Sequence, residues 1–213
     1  MKIDPDSMSL KEKFSHLLAV MSSERFLKKQ GLGNEVPFFI CPYKPEESLE
    51  MAQLQRQLVN RLEYSGIRIL EINLYDLSIG ILKERGVWDQ IIEIEESVSK
   101  EELKELLQGI LDPEKYLVPA IASKMSNTSF EILLLTGVGE VFPYIRSHNV
   151  LNNLQKTAKE NPTVMFFPGA YTHSLESGAS LDLFCRLKDD KYYRAFNIYH
   201  CEPYINVKIE NKT

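Results

Sequence analysis

Cysteine is scarce in this 213-residue chain. Its three thiols, Cys41, Cys185 and Cys201, are an odd number at distant spacings, which excludes a disulfide-built scaffold and reads as small buried hydrophobes. Long apolar runs are missing too. Nothing approaches the roughly 18 residues a membrane span needs, and the opening MKIDPDSMSLKEKF lacks the apolar stretch of a signal peptide, so the expectation is a cytoplasmic protein. Basic charge is short: 25 Lys and Arg stand against 30 Asp and Glu, a formal net charge of −5. That is the wrong sign for a surface that displaces counterions from nucleic acid, so direct nucleic-acid binding is not expected. No repeat, low-complexity segment or linker divides the chain. Residues 1–213 therefore read as one α/β domain, a length at which folding buries roughly 70% of the unfolded chain's surface.

Catalytic signatures are absent as well. The phosphate-loop pattern GxxxxGK[ST] occurs nowhere. The first apolar run ends instead in Cys41-Pro42-Tyr43-Lys44-Pro45-Glu46-Glu47-Ser48, where two prolines remove amide donors and no glycine shapes a phosphate nest. Four histidines (His16, His148, His173, His200) form no HxxxH or HExxH, and no Cys/His pair has ligand spacing, so no metal and no cofactor is expected. There is no GxSxG elbow for a nucleophilic serine. Glu71-x-Asn73 lacks the lysine of an ExK nuclease signature. Asp189-Asp190 reads as a solvated turn rather than a metal pair. A Gly-x-Gly does leave an apolar run at Thr136-Gly137-Val138-Gly139, the position where dinucleotide folds hold a pyrophosphate. Phe142 occupies the third glycine's place, however, and Glu140 would bring a carboxylate toward the phosphates. The bland alternative is a tight turn in which Gly137 and Gly139 adopt positive φ.

What is present is a regular alternation of helix and strand signals. Ser9 and Glu12 form a capping box ahead of Leu10, Phe14, Leu17, Leu18 and Met21 on one helical face. Val36–Cys41, bounded by Pro42, reads as a buried strand. Pro45 starts a helix whose stripe is Met51, Leu54, Leu58 and Leu62. Ile67–Ile72 is a second strand and Asn73 a cap. Residues 74–125 form a helical insertion, with a second capping box at Ser99 and Glu102 and an N-cap with N1 proline at Asp112-Pro113. Phe130–Thr136 is a third strand. Pro143 opens a helix over 143–158, and Thr163–Phe167 is a fourth strand ended by a turn at Pro168-Gly169. Strands apolar throughout, alternating with helices, imply a mostly parallel sheet with helices on both faces. Alternation at Leu181–Leu187, then Tyr192–Tyr199 beyond Asp189-Asp190, suggests a C-terminal antiparallel hairpin over about 181–199.

One polar density fits no catalytic pattern. Asn149, Asn152 and Asn153 share a helical face at i, i+3 and i+4 with Arg146 nearby, and could present amides to a partner or satisfy local backbone. Tyr193 and Arg194 add side chains of the kind enriched at interfaces. The partner-surface candidates are therefore Arg146, Asn149, Asn152, Asn153, Tyr193 and Arg194. Gly137, Gly139, Pro143, Pro168 and Gly169 are expected to be structural turns.

Five stretches, GLGNEVPFFI (31–40), IRILEINLYDL (67–77), LLLTGVGEVFPYIRSHNVLNNLQ (133–155), FFPG (166–169) and DDKYYRAFNIY (189–199), resemble the BrxB family of the BREX bacteriophage-exclusion systems, over about Leu10 to Tyr199. The resemblance implies a cytoplasmic accessory subunit required for phage restriction. Its companions would include a BrxC-like ATPase, a PglZ-like phosphatase-family protein and a PglX-like methyltransferase. No catalytic residue transfers with it. One departure is a longer loop at Ala170–Ala179 (AYTHSLESGA). The reading is an α/β fold resembling a P-loop-type core without the phosphate loop, acting as a non-catalytic scaffold that bridges BREX subunits. The alternative is a degenerate nucleotide-sensing or nuclease-like subunit acting within the complex.

Overall fold

The computed structural model describes residues 5–31, 36–174, 178–189 and 195–202. Its frame is a parallel sheet of β1 (Phe38–Tyr43), β2 (Ile69–Asn73), β3 (Ile132–Thr136), the first half of β4 (Thr163–Ser174) and the two-residue β7 (Phe196–Asn197), in the order β2-β3-β4-β1-β7. Side chains alternate across it. Phe38, Ile40, Leu133, Leu135, Met165 and Phe167 face one core, and Phe39, Cys41, Ile132, Leu134, Val164 and Phe166 face the other. Every residue of β3 is buried, because helices cover both sheet faces, which is why this strand reads as an unbroken apolar run.

On the first core pack α4 (Leu74–Glu84), α5 (Trp88–Glu95), α6 (Lys100–Ile110), the π-helical turn Pro113–Leu117, α7 (Val118–Asn127) and α8 (Ser147–Leu154). On the second pack α1 (Leu10–Met21), the single turn α2 (Glu24–Leu27) and α3 (Ser48–Tyr64). The local start signals work as the sequence suggests. Both capping boxes form, Asn73 Oδ1 accepts from Tyr75 and Asp76 to open α4, and Asp112 accepts from Lys115. Each satisfies amides that the first helical turn leaves open.

Four boundaries differ from the sequence reading. First, Pro42 lies inside β1 rather than ending it. Beyond Ile40, β1 is paired among the described residues only with β4, the one-sided setting in which a strand tolerates proline. Second, Pro168 and Gly169 do not form a terminating turn. The chain runs through them, leaving the parallel sheet and pairing antiparallel with β5 (Gly178–Leu183) from Gly169 to Ser174. Gly169 has φ +155°, and a Cβ there would collide with the Asp182 carbonyl, so only glycine passes. Much of the expected long loop at 170–179 is thus the two arms of a hairpin. Third, Pro143 does not open the helix. It is exposed within a series of turns, and α8 begins at Ser147. Val138, Val141 and Ile145 are buried at helix-like spacing, so turns present the same periodic face to the core as a helix would.

Fourth, the C-terminal hairpin turns earlier than expected. β5 pairs with β6 (Leu187–Asp189) around Phe184–Arg186, and Phe184 and Cys185 both take φ near +55°. β7 joins β1 in parallel instead of forming a second hairpin arm. Asp190, Tyr193 and Arg194 lie outside the described residues, as does the rest of 190–194. No helix among the described residues is long and apolar enough to cross a membrane.

Candidate functional site

Open α/β sheets bind ligands in the crevice outside the carboxyl ends of their strands, where successive connections leave for opposite faces. Here β1 leads to α3 on one face, whereas β2 and β3 lead to helices on the other. At that place the chain has a cleft of about 370 Å³, walled by Tyr43 and Gln55 from β1 and α3, Glu71 and Asn73 from β2, Thr136–Glu140 after β3, Pro168 from β4 and Phe184 from the β5–β6 turn.

The turns that shape it are tightly built. Gly137 has φ +69°, and a Cβ there would strike the Asn73 side chain that caps α4. Gly139 differs from the expectation: its φ is not positive. It is needed for space, since a Cβ would lie 2.9 Å from Pro168 Cγ and 3.0 Å from Phe184 Cε1. Two structural glycines thus serve different ends, one backbone conformation and one close packing.

The cleft is acceptor-rich, with Glu71 and Glu140 set against one basic residue, Arg56. Glu71 still reaches solvent, yet partial loss of hydration holds its carboxyl above the ordinary range. Donation from Gln55 Nε2, at 2.6 Å, only partly offsets this. Thr136 is 4% exposed, and among the described residues its Oγ1 has no partner at hydrogen-bond geometry. Burial pushes the Tyr43 phenol up to about 12. At the end of β1, where a phosphate loop would sit, Pro45–Glu47 forms a 3₁₀ turn. Its backbone is turned inward: Glu47 N–H donates to Lys44 O, and Ser48 Oγ donates to Pro45 O. A polyphosphate entering here would meet Glu71 and Glu140, with Arg56 the single basic residue of the wall, instead of a cradle of amides.

Of the residues singled out by sequence, α8 brings three together. Asn152 is exposed and Asn149 and Asn153 half-buried, on the side opposite Val150, Leu151 and Leu154. Exposed Arg146 is the N-cap residue. Asn153 Nδ2 donates to Asn149 O at 2.8 Å, so one of the three amides already serves the helix itself. Of the three cysteines expected to be buried, Cys41 is: it donates to Tyr199 Oη at 3.5 Å, and burial pushes its thiol up to about 12. Cys201 is half-buried and Cys185, in the β5–β6 turn, is exposed. His16 is buried, with Nε2 3.3 Å from Ile198 O. Among the described residues no three His, Cys, Asp or Glu side chains converge as metal ligands would.

The sequence reading missed one polar feature. Lys13 of α1 is 2% exposed and pairs at 2.5 Å with Glu47, fixing α1 to the β1–α3 connection. The only signal available was a lysine one turn from Leu10 and Leu17, on a face otherwise apolar.

Comparison with known proteins gives a consistent result. The family described as "BREX protein BrxB" matches residues 70–198. The chain is 34% identical to a BREX protein BrxB of Bacillus cereus (strain H3081.97) over 196 residues, 89% of this chain and 97% of that protein. It is 31% identical to a BREX protein BrxB of Escherichia coli O9:H4 (strain HS) over 196 residues, 92% and 93% of the two chains. No solved structure matches.

Proposed function

The chain belongs to the BrxB family of BREX proteins, and from that premise we propose that it serves phage defence as a non-catalytic accessory subunit bridging other BREX subunits. The partners proposed are the BrxC-like ATPase and the PglZ-like phosphatase-family protein. The observation that carries the reading is the 3₁₀ turn at Pro45–Glu47. It stands at the end of β1, where a nucleotide-hydrolysing relative of this topology would present a phosphate loop, and it offers an inward-bonded backbone and acidic side chains. Chemistry is then left to the companions. The outward row of Arg146, Asn149, Asn152 and Asn153 supplies polar contact surface. Purification of the tagged chain from cells expressing the whole operon tests this: the ATPase and the phosphatase-family protein should accompany it, and a chain that purifies alone would refute it.

A second reading has its own support. The buried, unpartnered Thr136 hydroxyl beside Glu71, whose carboxyl lies above its ordinary range, is the kind of arrangement that marks ligand sites, which favours a degenerate nucleotide-sensing subunit. Calorimetric titration with magnesium–ATP separates the two. The bridging reading expects no heat of binding, and micromolar affinity would replace it with the sensing one.

A further inference from the structure

Towards the carboxyl ends of the strands, the second core changes character. Side chains on that face recur at every second residue of a strand, and there the series passes from apolar to polar: Cys41 to Tyr43 on β1, Ile69 to Glu71 on β2 and Leu134 to Thr136 on β3. The cleft of about 370 Å³ at these ends is thus an outward continuation of the core, with Gln55 and Arg56 of α3 on its other side. The same alternation turns the Thr136 side chain toward α3 and into the cleft. Its hydroxyl is 96% buried by residue exposure and lacks a hydrogen-bond partner among the described residues, a condition that calls for a reason.

The charges on the wall select what could supply one. Two carboxylates, Glu71 and Glu140, stand against one guanidinium, Arg56, so the wall carries one negative charge in excess. Both acids act inside the cleft. Burial holds the Glu71 carboxyl above its ordinary range, more than donation from Gln55 and the field of exposed Arg56 draw it down. Burial also raises the Tyr43 phenol, and Glu140 adds to the rise. Rings of Tyr43, Phe166 and Phe184 complete the wall. A carboxylate short of donors, a buried hydroxyl on the neighbouring strand and aromatic surface together suit a cation of single charge. An anion would be repelled. A divalent metal asks for more oxygen ligands than two carboxylates supply, and no trio of ligating side chains converges among the described residues. The planar fork of a guanidinium can donate to two acceptors at once and lie flat on a ring, which a compact ammonium cannot.

We propose, independently of the bridging reading, that this cleft takes a guanidinium group on an alkyl stem. Glu71 and the Thr136 hydroxyl accept from its N–H groups, Glu140 adds the second negative field, and its single charge neutralises the wall. The volume lies within the roughly 300–1,000 Å³ of sites that enclose small ligands.

The probe is butylguanidinium, titrated into the full chain while the backbone amides of Gly137 and Gly139, both in the cleft wall, are followed by NMR. They should shift with a Kd on the order of 1 mM, which suits so few atoms. Butylammonium keeps the charge without the fork, and butylurea keeps the shape without the charge; each should bind about tenfold more weakly. Glu71→Gln should weaken binding about tenfold and Thr136→Val about threefold. Arg56→Gln should instead tighten it about twofold by removing a competing charge, and all three should keep the wild-type circular dichroism. A merely structural role would not move two variants in opposite directions. Free arginine and the capped peptide acetyl-Gly-Arg-Gly-amide distinguish the sources of the group: tighter binding of the first assigns it to a metabolite, and of the second to a partner protein. No shift at about 20 mM, butylurea or adenosine binding as tightly as butylguanidinium, or a Glu71→Gln variant with wild-type affinity would overturn the assignment and leave the bridging reading to its own test.

Discussion

Removing Glu47 should damage this protein far more than removing the lysine it pairs with. Lys13 Nζ is 2.5 Å from Glu47 Oε2, and the side-chain exposures are 3% and 31%. Glu47→Ala leaves an ammonium desolvated with its counter-charge gone. Such a loss costs about 3–5 kcal/mol, and the lower end applies because the space vacated by a part-exposed carboxylate lets water approach. Lys13→Met keeps the apolar stem and leaves only a carboxylate that already reaches water, so its cost should stay below about 1 kcal/mol. For a chain of this size about 1 kcal/mol moves the melting temperature by roughly 2–4 °C. Scanning calorimetry should therefore find Glu47→Ala lowered by about 6–12 °C and Lys13→Met by no more than about 4 °C. Equal losses, or a Glu47→Ala variant that melts with the wild type, would show that the ammonium is not desolvated and refute the reasoning.

Gly169→Ala forces a Cβ into the Asp182 carbonyl at φ +155°, and should cost about 3 kcal/mol in denaturant unfolding. Gly137→Ala, which strains φ and displaces the Asn73 cap, should cost about 2 kcal/mol; melting unchanged in both would void the account of these turns. Native alkylation with iodoacetamide followed by mass spectrometry should label exposed Cys185 first and leave Cys41, whose thiol burial raises to about 12, unmodified until unfolding. Glu71→Gln should raise the melting temperature at pH 7 but not near about pH 3, where both states are protonated. A carboxyl raised above 4.5 in the fold costs stability as pH rises from the unfolded value through the folded one, and that penalty is complete at neutrality. Stabilisation at both pH values, or at neither, would contradict this.

Signals that act through their own backbone were readable from sequence. Ser9, Asn73, Ser99 and Asp112 all cap the helices they precede, because the hydrogen bonds lie within three residues. The parallel core was readable because burial on both faces removes alternation. Boundaries decided by distant partners were not. Whether Pro168-Gly169 ends a strand or carries it onward depends on β5, whose Leu183 pairs with Gly169 from 14 residues later. The turn at Phe184-Cys185 uses positive φ at residues whose types give no warning, while Leu181, Leu183, Cys185 and Leu187 alternate straight through it. For the site, the lack of a phosphate loop was plain, but the cleft itself was not, since Glu71, Thr136 and Glu140 meet only through strand order. The asparagine face of α8 followed from helical spacing, and its partial use by Asn153 within the helix did not.

The bridging claim is tested most directly by tagging the PglZ-like protein, not this chain, and purifying it from cells carrying the operon with and without the gene for this chain. With the chain present, the BrxC-like ATPase should co-elute; with it deleted, the ATPase should be lost and phage restriction with it. Undiminished recovery of the ATPase in the deletion strain would contradict the account, because a bridge whose removal leaves its two ends joined is not a bridge.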